Sequence, residues 1–167
     1  MITRSVILLV AIFALALFFI YHLFLTSVFN GNEQNVNEER GIHLVDAYVD
    51  GEPLRLEVAR TRDSVIKGLS GREGLGDIDG LLMVFPVSGK HGIWMKDMNF
   101  AIDIIWIGPS GEIVFIKEDV SPDTYPEVFK NDEPSSMVLE VESGTVEERG
   151  WSVGSSFEIS ADIEFEG

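Results

Sequence analysis

The chain has 167 residues with 12 basic and 28 acidic side chains, a formal net charge of −16, and no cysteine. The lack of cysteine excludes disulfides, thiolate nucleophiles and cysteine-based zinc or iron–sulfur sites. Only one charged residue, Arg4, lies among the first 29, so residues 30–167 carry 11 basic and 28 acidic side chains, a net charge of −17. A surface this negative repels phosphate backbones, and we expect no nucleic-acid partner.

An uncharged, largely apolar run of 25 residues extends from Ser5 to Phe29. A helix rises about 1.5 Å per residue, so roughly 20 such residues cross the hydrocarbon core of a bilayer. No polar face recurs at the helical period, which disfavours a buried helix of a soluble domain. The run therefore predicts a single transmembrane helix at 1–29, with the membrane as its partner.

A cleaved signal peptide is the alternative for this segment. Ala14-Leu15-Ala16 has the small-x-small pattern of a cleavage site, but Leu17–Ile20 continues the apolar run directly after it. The run is also longer than a cleavable core of about 7–15 residues, so we expect a retained anchor. Arg4 precedes the run and the next basic residue is Arg40. The positive-inside rule then predicts a cytoplasmic N-terminus and an extracytoplasmic C-terminal domain.

The remaining chain divides into a linker and an outer domain. Residues 30–41 (NGNEQNVNEERG) are polar without apolar periodicity, which predicts a flexible linker. Within residues 42–167, short apolar runs alternate with polar residues at the period of half-buried strands. Asp50-Gly51 predicts one hairpin turn, and Gly108–Gly111 joins two β-prone segments in another. A last amphipathic strand is predicted at 157–165.

Two short helices are predicted between the strands. Thr61 is placed to cap the first, which ends near Gly68, and Thr145 with Glu148 matches the capping box of the second. Leu81–Val87 is a short apolar run halted by Pro86 and Ser88-Gly89, which predicts a short strand. Six or seven strands with two short helices predict a mostly β (β-rich α+β) domain, a single barrel- or sandwich-like unit.

Several segments of the outer domain share their order with a known family. The most specific is Trp94–Met98 (WMKDM) followed by Ala101–Ile107 (AIDIIWI). The others are Gly68-Leu69-Ser70 with Arg72, Gly80–Phe85 (GLLMVF), and Val138–Val141 (VLEV). Together they resemble the domain of unknown function 192 (DUF192) family over roughly residues 54–159.

The resemblance implies a compact β-rich fold in a bacterial or archaeal protein, often with an N-terminal export or anchor segment. It implies no established reaction. The family typically has Asn where Asp97 stands here.

Seven charged or aromatic residues form the candidate ligand-binding set, namely Arg72, Trp94, Lys96, Asp97, Asp103, Glu140 and Arg149. Asp103 interrupts an apolar run, and a carboxylate in such a place needs a partner, for which Lys96 or Arg72 is available. It is either a site carboxylate or half of a structural ion pair. Glu140 either faces water, as strand alternation allows, or pairs with Arg149. Trp94 lines either an apolar pocket or the core.

No catalytic residue is assigned, and no cofactor or metal is expected. His43 and His91 lack a zinc-binding spacing, and Asp77–Gly80 lacks the later ligands of a calcium loop.

The sequence favours a binding or interaction module displayed from the membrane, whose small-molecule or envelope partner is unknown. One alternative is a hydrolase-type enzyme that uses Lys96, Asp103 and Glu140; another is a structural envelope domain without a ligand. Convergence of the charged candidates in one solvent-open cleft would favour the two active alternatives.

Overall fold

The structure, a computed structural model, describes residues 15, 17–23, 43–160, 163, 165 and 166. The chain divides into two units, Met1–Ile42 and His43–Gly167. In the first unit the described residues are helical, and no helix in the described part of the chain is long and apolar enough to cross a bilayer. The anchor predicted at 1–29 lies mostly outside the described residues, and the linker at 30–41 lies wholly outside them. Both stay predictions.

The second unit is built on a seven-stranded sheet with two short helices. Its elements are β1 (His43–Val49), β2 (Glu52–Ala59), α1 (Arg62–Lys67), β3 (Gly80–Gly89), β4 (Ile102–Ile107), β5 (Ile113–Val120), a 3₁₀ turn (Pro122–Thr124), β6 (Ser135–Glu142), α2 (Thr145–Arg149) and β7 (Phe157–Ile159). The strand order is β5-β4-β6-β3-β2-β1-β7. The β2–β3 pair is parallel and the other pairs are antiparallel.

The sheet curls so that its two edges meet at one end. The Ile113 N–H donates to Ser155 O at 2.9 Å, Gly154 N–H donates to Ile113 O at 2.8 Å, and Phe157 N–H donates to Gly111 O at 2.7 Å. The fold is therefore a mostly β half-barrel with few short helices. The β-rich prediction is confirmed, but the sandwich alternative is wrong, because all seven described strands belong to one sheet.

The central strands β3, β4 and β6 are buried on both faces. All seven strands contribute to an inner apolar cluster, which includes Leu56, Leu82 and Leu139. Alternate residues of the central strands, such as Leu81 and Val138, enter a second cluster on the outer face, which the loops between β2 and β4 cover. Burial on both sides explains why β4 is almost continuously apolar in sequence.

The helices confirm one predicted cap and correct the other. The Thr61 hydroxyl oxygen accepts a hydrogen bond from Ser64 N–H at 3.1 Å, and α1 ends at Gly68, as predicted. Thr145 is not the cap of α2, because Gly144 occupies that position and the Thr145 hydroxyl donates to Glu142 O at 2.6 Å. The carboxylate that caps α2 belongs to a residue of β4.

Two strands differ in length from their predictions. β3 continues past Pro86 to Gly89, and its register with β6 shifts between Val84 and Gly89. Proline is tolerated there because an irregular segment does not need its N–H in the ladder. β7 ends at Ile159 instead of residue 165.

Asp103 supplies the missing cap of α2. It is fully buried and stands opposite Val141, a member of the inner cluster. One carboxylate oxygen accepts from Asp119 N–H at 2.9 Å and the other from Val146 N–H at 3.0 Å. The expectation that Lys96 or Arg72 is its partner is wrong: backbone amides take both oxygens and tie β5 and α2 to β4.

Replacing Asp103 by Ala should lower the free energy of unfolding by about 3 kcal/mol, because two backbone donors lose their acceptor. Asp103→Asn, which keeps one acceptor oxygen, should cost less. Urea denaturation measures both. The matched control is Asp132→Ala, since this exposed carboxylate pairs only with Lys90 at the surface and should contribute less than about 1 kcal/mol. Equal losses for the Asp103 and Asp132 variants would contradict the role of Asp103.

Candidate functional site

Four residues of neighbouring strands form a row across the outer face of the sheet. Glu57 of β2 stands beside Leu81 of β3, and Leu81 stands beside Glu140 of β6. The next residue in the row is Ile104 of β4. The backbones of Glu57 and Glu140 are therefore two strands apart, roughly 10 Å.

Arg72 lies over this row, carried by the connection between α1 and β3. Its guanidinium donates two hydrogen bonds to Glu57, at 2.9 and 2.7 Å. This paired geometry is the strongest form of an arginine–carboxylate contact, and it raises the pKa of Arg72. Burial raises the pKa of Glu140, and the charge of Arg72 opposes this effect in part. Arg72 thus interacts electrostatically with both Glu57 and Glu140 but donates hydrogen bonds only to Glu57 among the described residues.

Backbone contacts hold two loops together beside the row. The Ser70 hydroxyl donates to Lys96 O at 2.7 Å, and Gly71 N–H donates to Asp97 O at 2.7 Å. Asp97 has a left-handed backbone with φ of 55°. Asp and Asn adopt this conformation more readily than most residues, which accounts for either residue at this position.

These loops enclose a cavity of about 140 Å³ on the outer face, which we call the Glu140 cavity. Its lining comes from α1, from β3, from the segment after β3, and from one residue of β6: Val65, Ile66, Lys67, Gly68, Ser70, Met83, Phe85, Gly92, Ile93, Trp94 and Glu140. Most of these side chains are apolar.

The carboxyl group of Glu140 is the main polar feature of the cavity. Glu140 is only 4% exposed, so the alternative in which it faces water is wrong. Its Oε2 atom is buried and has no hydrogen-bond partner among the residues that the structure describes. Burial raises the pKa of Glu140 to about 8, and the opposing effect of Arg72 is smaller. At neutral pH the group is therefore mostly protonated and can both donate and accept a hydrogen bond.

Gly68 lets the chain pass close to this carboxyl group. Its φ of 50° is unfavourable for other residues, and a Cβ atom there would lie 3.0 Å from Met83 Cε and 3.7 Å from Glu140 Oε2. A side chain at residue 68 would therefore occupy the wall of the cavity next to Glu140.

Trp94 forms part of the rim. Its side chain is 46% exposed and packs edge-on against Tyr125, with ring centroids 6.3 Å apart. The pocket alternative for Trp94 therefore fits the geometry better than the core alternative. By contrast, Trp106 is fully buried, and its indole N–H donates to His91 O at 2.8 Å.

The other charged candidates lie outside the Glu140 cavity. Lys96 and Asp97 form a surface pair at 2.6 Å, which raises the pKa of Lys96. Asp103 belongs to the inner face, because it shares that face with Val141, whereas Glu140 points to the outer face. Lys96, Asp103 and Glu140 therefore do not form one site.

Arg149 is paired elsewhere as well. It lies 3.6 Å from Asp79 and 3.9 Å from Glu52, and its guanidinium stacks 5.6 Å from the centroid of the Trp151 ring. It lines a second, polar cavity of about 320 Å³ together with Asp79 and Glu142. The predicted Glu140–Arg149 pair is therefore wrong. In the described part of the chain, no three His, Asp or Glu residues are grouped so that they could hold a metal ion.

Comparison with known proteins places this arrangement in a family. The profile of DUF192, described as an uncharacterized ACR, matches residues 45–159. The chain belongs to the DUF192 family. No curated protein matches it.

Two solved structures resemble this DUF192 chain. One, from Sinorhizobium meliloti 1021, is described as a proposed transcription regulator; it is 25% identical, with a TM-score of 0.66 over 71% of this chain and 95% of its own. The other, from Novosphingobium aromaticivorans DSM 12444, is a protein of unknown function; it is 27% identical, with a TM-score of 0.65 over 69% of this chain and 84% of its own.

Sequence reasoning missed three contributors to the site in this DUF192 domain. Gly68 and Ser70 belong to a segment shared with the family, but their positions at the cavity wall were not foreseen. Glu57 appeared as an ordinary polar residue of an alternating strand. The register that puts Glu57 and Glu140 in one row depends on the parallel β2–β3 pair, which no local pattern reveals.

Stability should depend on pH through Glu140. Between its ordinary pKa of 4.5 and its folded pKa of about 8, the folded chain keeps a proton that the unfolded chain has lost. The contribution to stability is therefore complete below pH 4.5, falls as pH rises, and levels off above pH 8. At pH 7 the loss should be about 3 kcal/mol.

Urea denaturation of the wild type and Glu140→Gln between pH 5 and 8 tests this effect. The free energy of unfolding of the variant should rise relative to that of the wild type as pH increases, because the glutamine amide does not ionise. His91, whose pKa is lowered by burial, affects both proteins alike and cancels in the difference. Parallel curves would show that Glu140 titrates normally.

Proposed function

We propose that the outer domain is a binding module that takes a small ligand into the Glu140 cavity. The observation that carries this proposal is a buried Glu140 oxygen without a hydrogen-bond partner in the described part of the chain, in a residue that lines an open cavity. A buried polar atom left unpaired costs about 1–3 kcal/mol, and a ligand that hydrogen-bonds to it would remove that cost. Apolar walls around one convergent polar group are typical of small-molecule sites.

Binding is favoured over hydrolysis by the chemistry of the lining. A raised pKa suits a carboxyl group to act as a general acid. However, Glu140 is the only carboxyl group among the lining residues, and the Ser70 hydroxyl is already a donor to Lys96 O. Lys96 and Asp103 do not line the cavity, and Asp103 points to the inner face, so a hydrolase that uses Lys96, Asp103 and Glu140 together is not supported.

The charge of the domain argues for a ligand other than nucleic acid. One relative in structure is described as a proposed transcription regulator, at 25% identity. Residues 30–167 of this chain carry a net charge of −17, which repels phosphate backbones. We therefore do not extend that description to this protein.

The proposed module is held at a membrane by the N-terminal segment. The support for this is the uncharged run Ser5–Phe29 and the single Arg4 before it. We propose a retained, single-pass anchor with a cytoplasmic N-terminus, a linker at 30–41 and an extracytoplasmic binding domain.

Glu140→Leu should make the protein more stable and less able to bind. The leucine fills a similar volume without an unpaired polar atom, so the melting temperature without ligand should rise at pH 7. A thermal-shift panel of neutral, cationic and anionic small molecules should contain a class that stabilises the full chain but not the variant.

Val153→Ala is the matched control, since this side chain is 62% exposed and does not line the Glu140 cavity. It should retain the full ligand response. If a ligand raises the melting temperature of Glu140→Leu as much as that of the wild type, the ligand binds outside the Glu140 cavity. The absence of any shift across the panel would favour a structural envelope domain without a ligand.

The full chain should remain with the membrane fraction after alkaline extraction, and a variant without residues 2–29 should be released. Mass spectrometry of the membrane-bound protein should find the intact N-terminal segment. External protease should digest the outer domain in cells with a permeable outer layer. A mature protein that begins after residue 29 would establish cleavage in place of anchoring.

A further inference from the structure

The dimensions of the Glu140 cavity limit its ligand to about one ring. Its volume is about 140 Å³. A cavity of roughly 150 Å³ can accommodate a molecule such as benzene, so one six-membered ring fits and a second must remain outside. The opening lies beside exposed apolar side chains, Ile66 at 58% and Trp94 at 46%, so a longer molecule could continue over the rim.

The rim offers a flat aromatic surface beside the polar base. The Trp94 and Tyr125 rings pack in an edge-to-face arrangement, with an interplanar angle of 69°. This contact holds one ring against the other and leaves much of Trp94 open to solvent. A ring whose face carries C–H groups can pack on such a surface, because aromatic faces are electron-rich and the C–H groups are weakly positive.

Two polar groups at the cavity are suited to hydroxyl groups. Glu140 Oε2 has no partner, and the Ser70 hydroxyl, which donates its proton to Lys96 O, retains lone pairs that can accept. A hydroxyl group can donate to either oxygen and also accept from a protonated carboxyl group. An apolar ring without hydroxyl groups would leave Glu140 unpaired.

Charge disfavours ionic ligands of either sign. An anion would be repelled by the strongly acidic surface outside the cavity. A cation would meet Lys67 in the lining and the positive charge of Arg72, which acts on Glu140. A neutral ligand avoids both costs.

We infer that the Glu140 cavity binds a neutral sugar ring, with one face of the ring on Trp94 and a hydroxyl group hydrogen-bonded to Glu140. This inference rests on the proposed binding function and names its ligand class. The sugar is either free or the end unit of a longer saccharide, since the two present the same ring to the cavity.

Tryptophan fluorescence provides a direct test on the full chain. Of the three tryptophans, Trp106 and Trp151 are buried, at 0% and 5% exposure, so quenching by acrylamide reports mainly on Trp94. The probes are glucose and N-acetylglucosamine, with glucuronate as the anionic analogue, glucosamine as the cationic analogue, and cyclohexanol as a ring with one hydroxyl group. The two neutral sugars should protect Trp94 from quenching, and the other three probes should bind at least roughly tenfold more weakly.

Variants locate the sugar in the cavity. Trp94→Ala and Glu140→Leu should each weaken binding of the neutral sugars by roughly tenfold, measured by calorimetry because one variant lacks the reporter. Trp94→Phe keeps a flat apolar face, so its affinity for the neutral sugars should fall less than that of Trp94→Ala. Val153→Ala should match the wild type, and the melting temperature of each variant checks that the variant is folded.

The outcomes separate the inference from the proposed function. If cyclohexanol or an ionic analogue binds as tightly as glucose and Glu140→Leu abolishes that binding, the cavity is a binding site but the sugar class is wrong. If neutral sugars bind equally to the wild type and to Glu140→Leu, the assigned contact is wrong. If no probe and no member of the wider small-molecule panel binds, the proposed function fails with the inference.

Discussion

The central strands of this half-barrel are covered on both faces, and that constraint governs every polar group they carry. A carboxyl group placed there loses water on whichever side it points and must find partners within the protein. Asp103 and Glu140, on neighbouring strands, meet this requirement differently. Asp103 accepts hydrogen bonds from two backbone amides, whereas one oxygen of Glu140 accepts none. Asp103 therefore stabilises the fold. Glu140 destabilises it, and the proposed ligand would offset that loss of stability.

The parallel β2–β3 pair determines where the site forms. Parallel neighbours need a connection that crosses one face of the sheet, and here that connection carries α1, Gly68, Ser70 and Arg72 over the outer face. Arg72 is then fixed by its two bonds to Glu57, and Ser70 is fixed by the backbone at Lys96. The rim and the polar base are thus held by separate contacts, which lets Trp94 remain exposed while Glu140 stays buried.

Local pattern was sufficient to predict much of the fold. Alternating residues indicated the strands, and Thr61 and Gly68 marked the ends of α1, because these signals depend only on neighbours in sequence. Thr145 was misjudged because its competitor for the helix end, Asp103, is more than 40 residues away. For the same reason, the sequence identified Glu140 and Arg72 as candidates but not their relation to Glu57. Lys96, Asp97, Asp103 and Arg149 carry the residue types of an active site, yet strand register and local pairing separate them from the cavity.

The crossover between β2 and β3 also has an evolutionary consequence. It supplies a wall of the cavity, and α1 within it buries none of its residues. Substitutions along the exposed side of this connection can reshape the entrance while the barrel retains its cores and its closure. A related protein could therefore acquire a different ligand preference by exchanging this one connection, with Glu140 left in place beneath it.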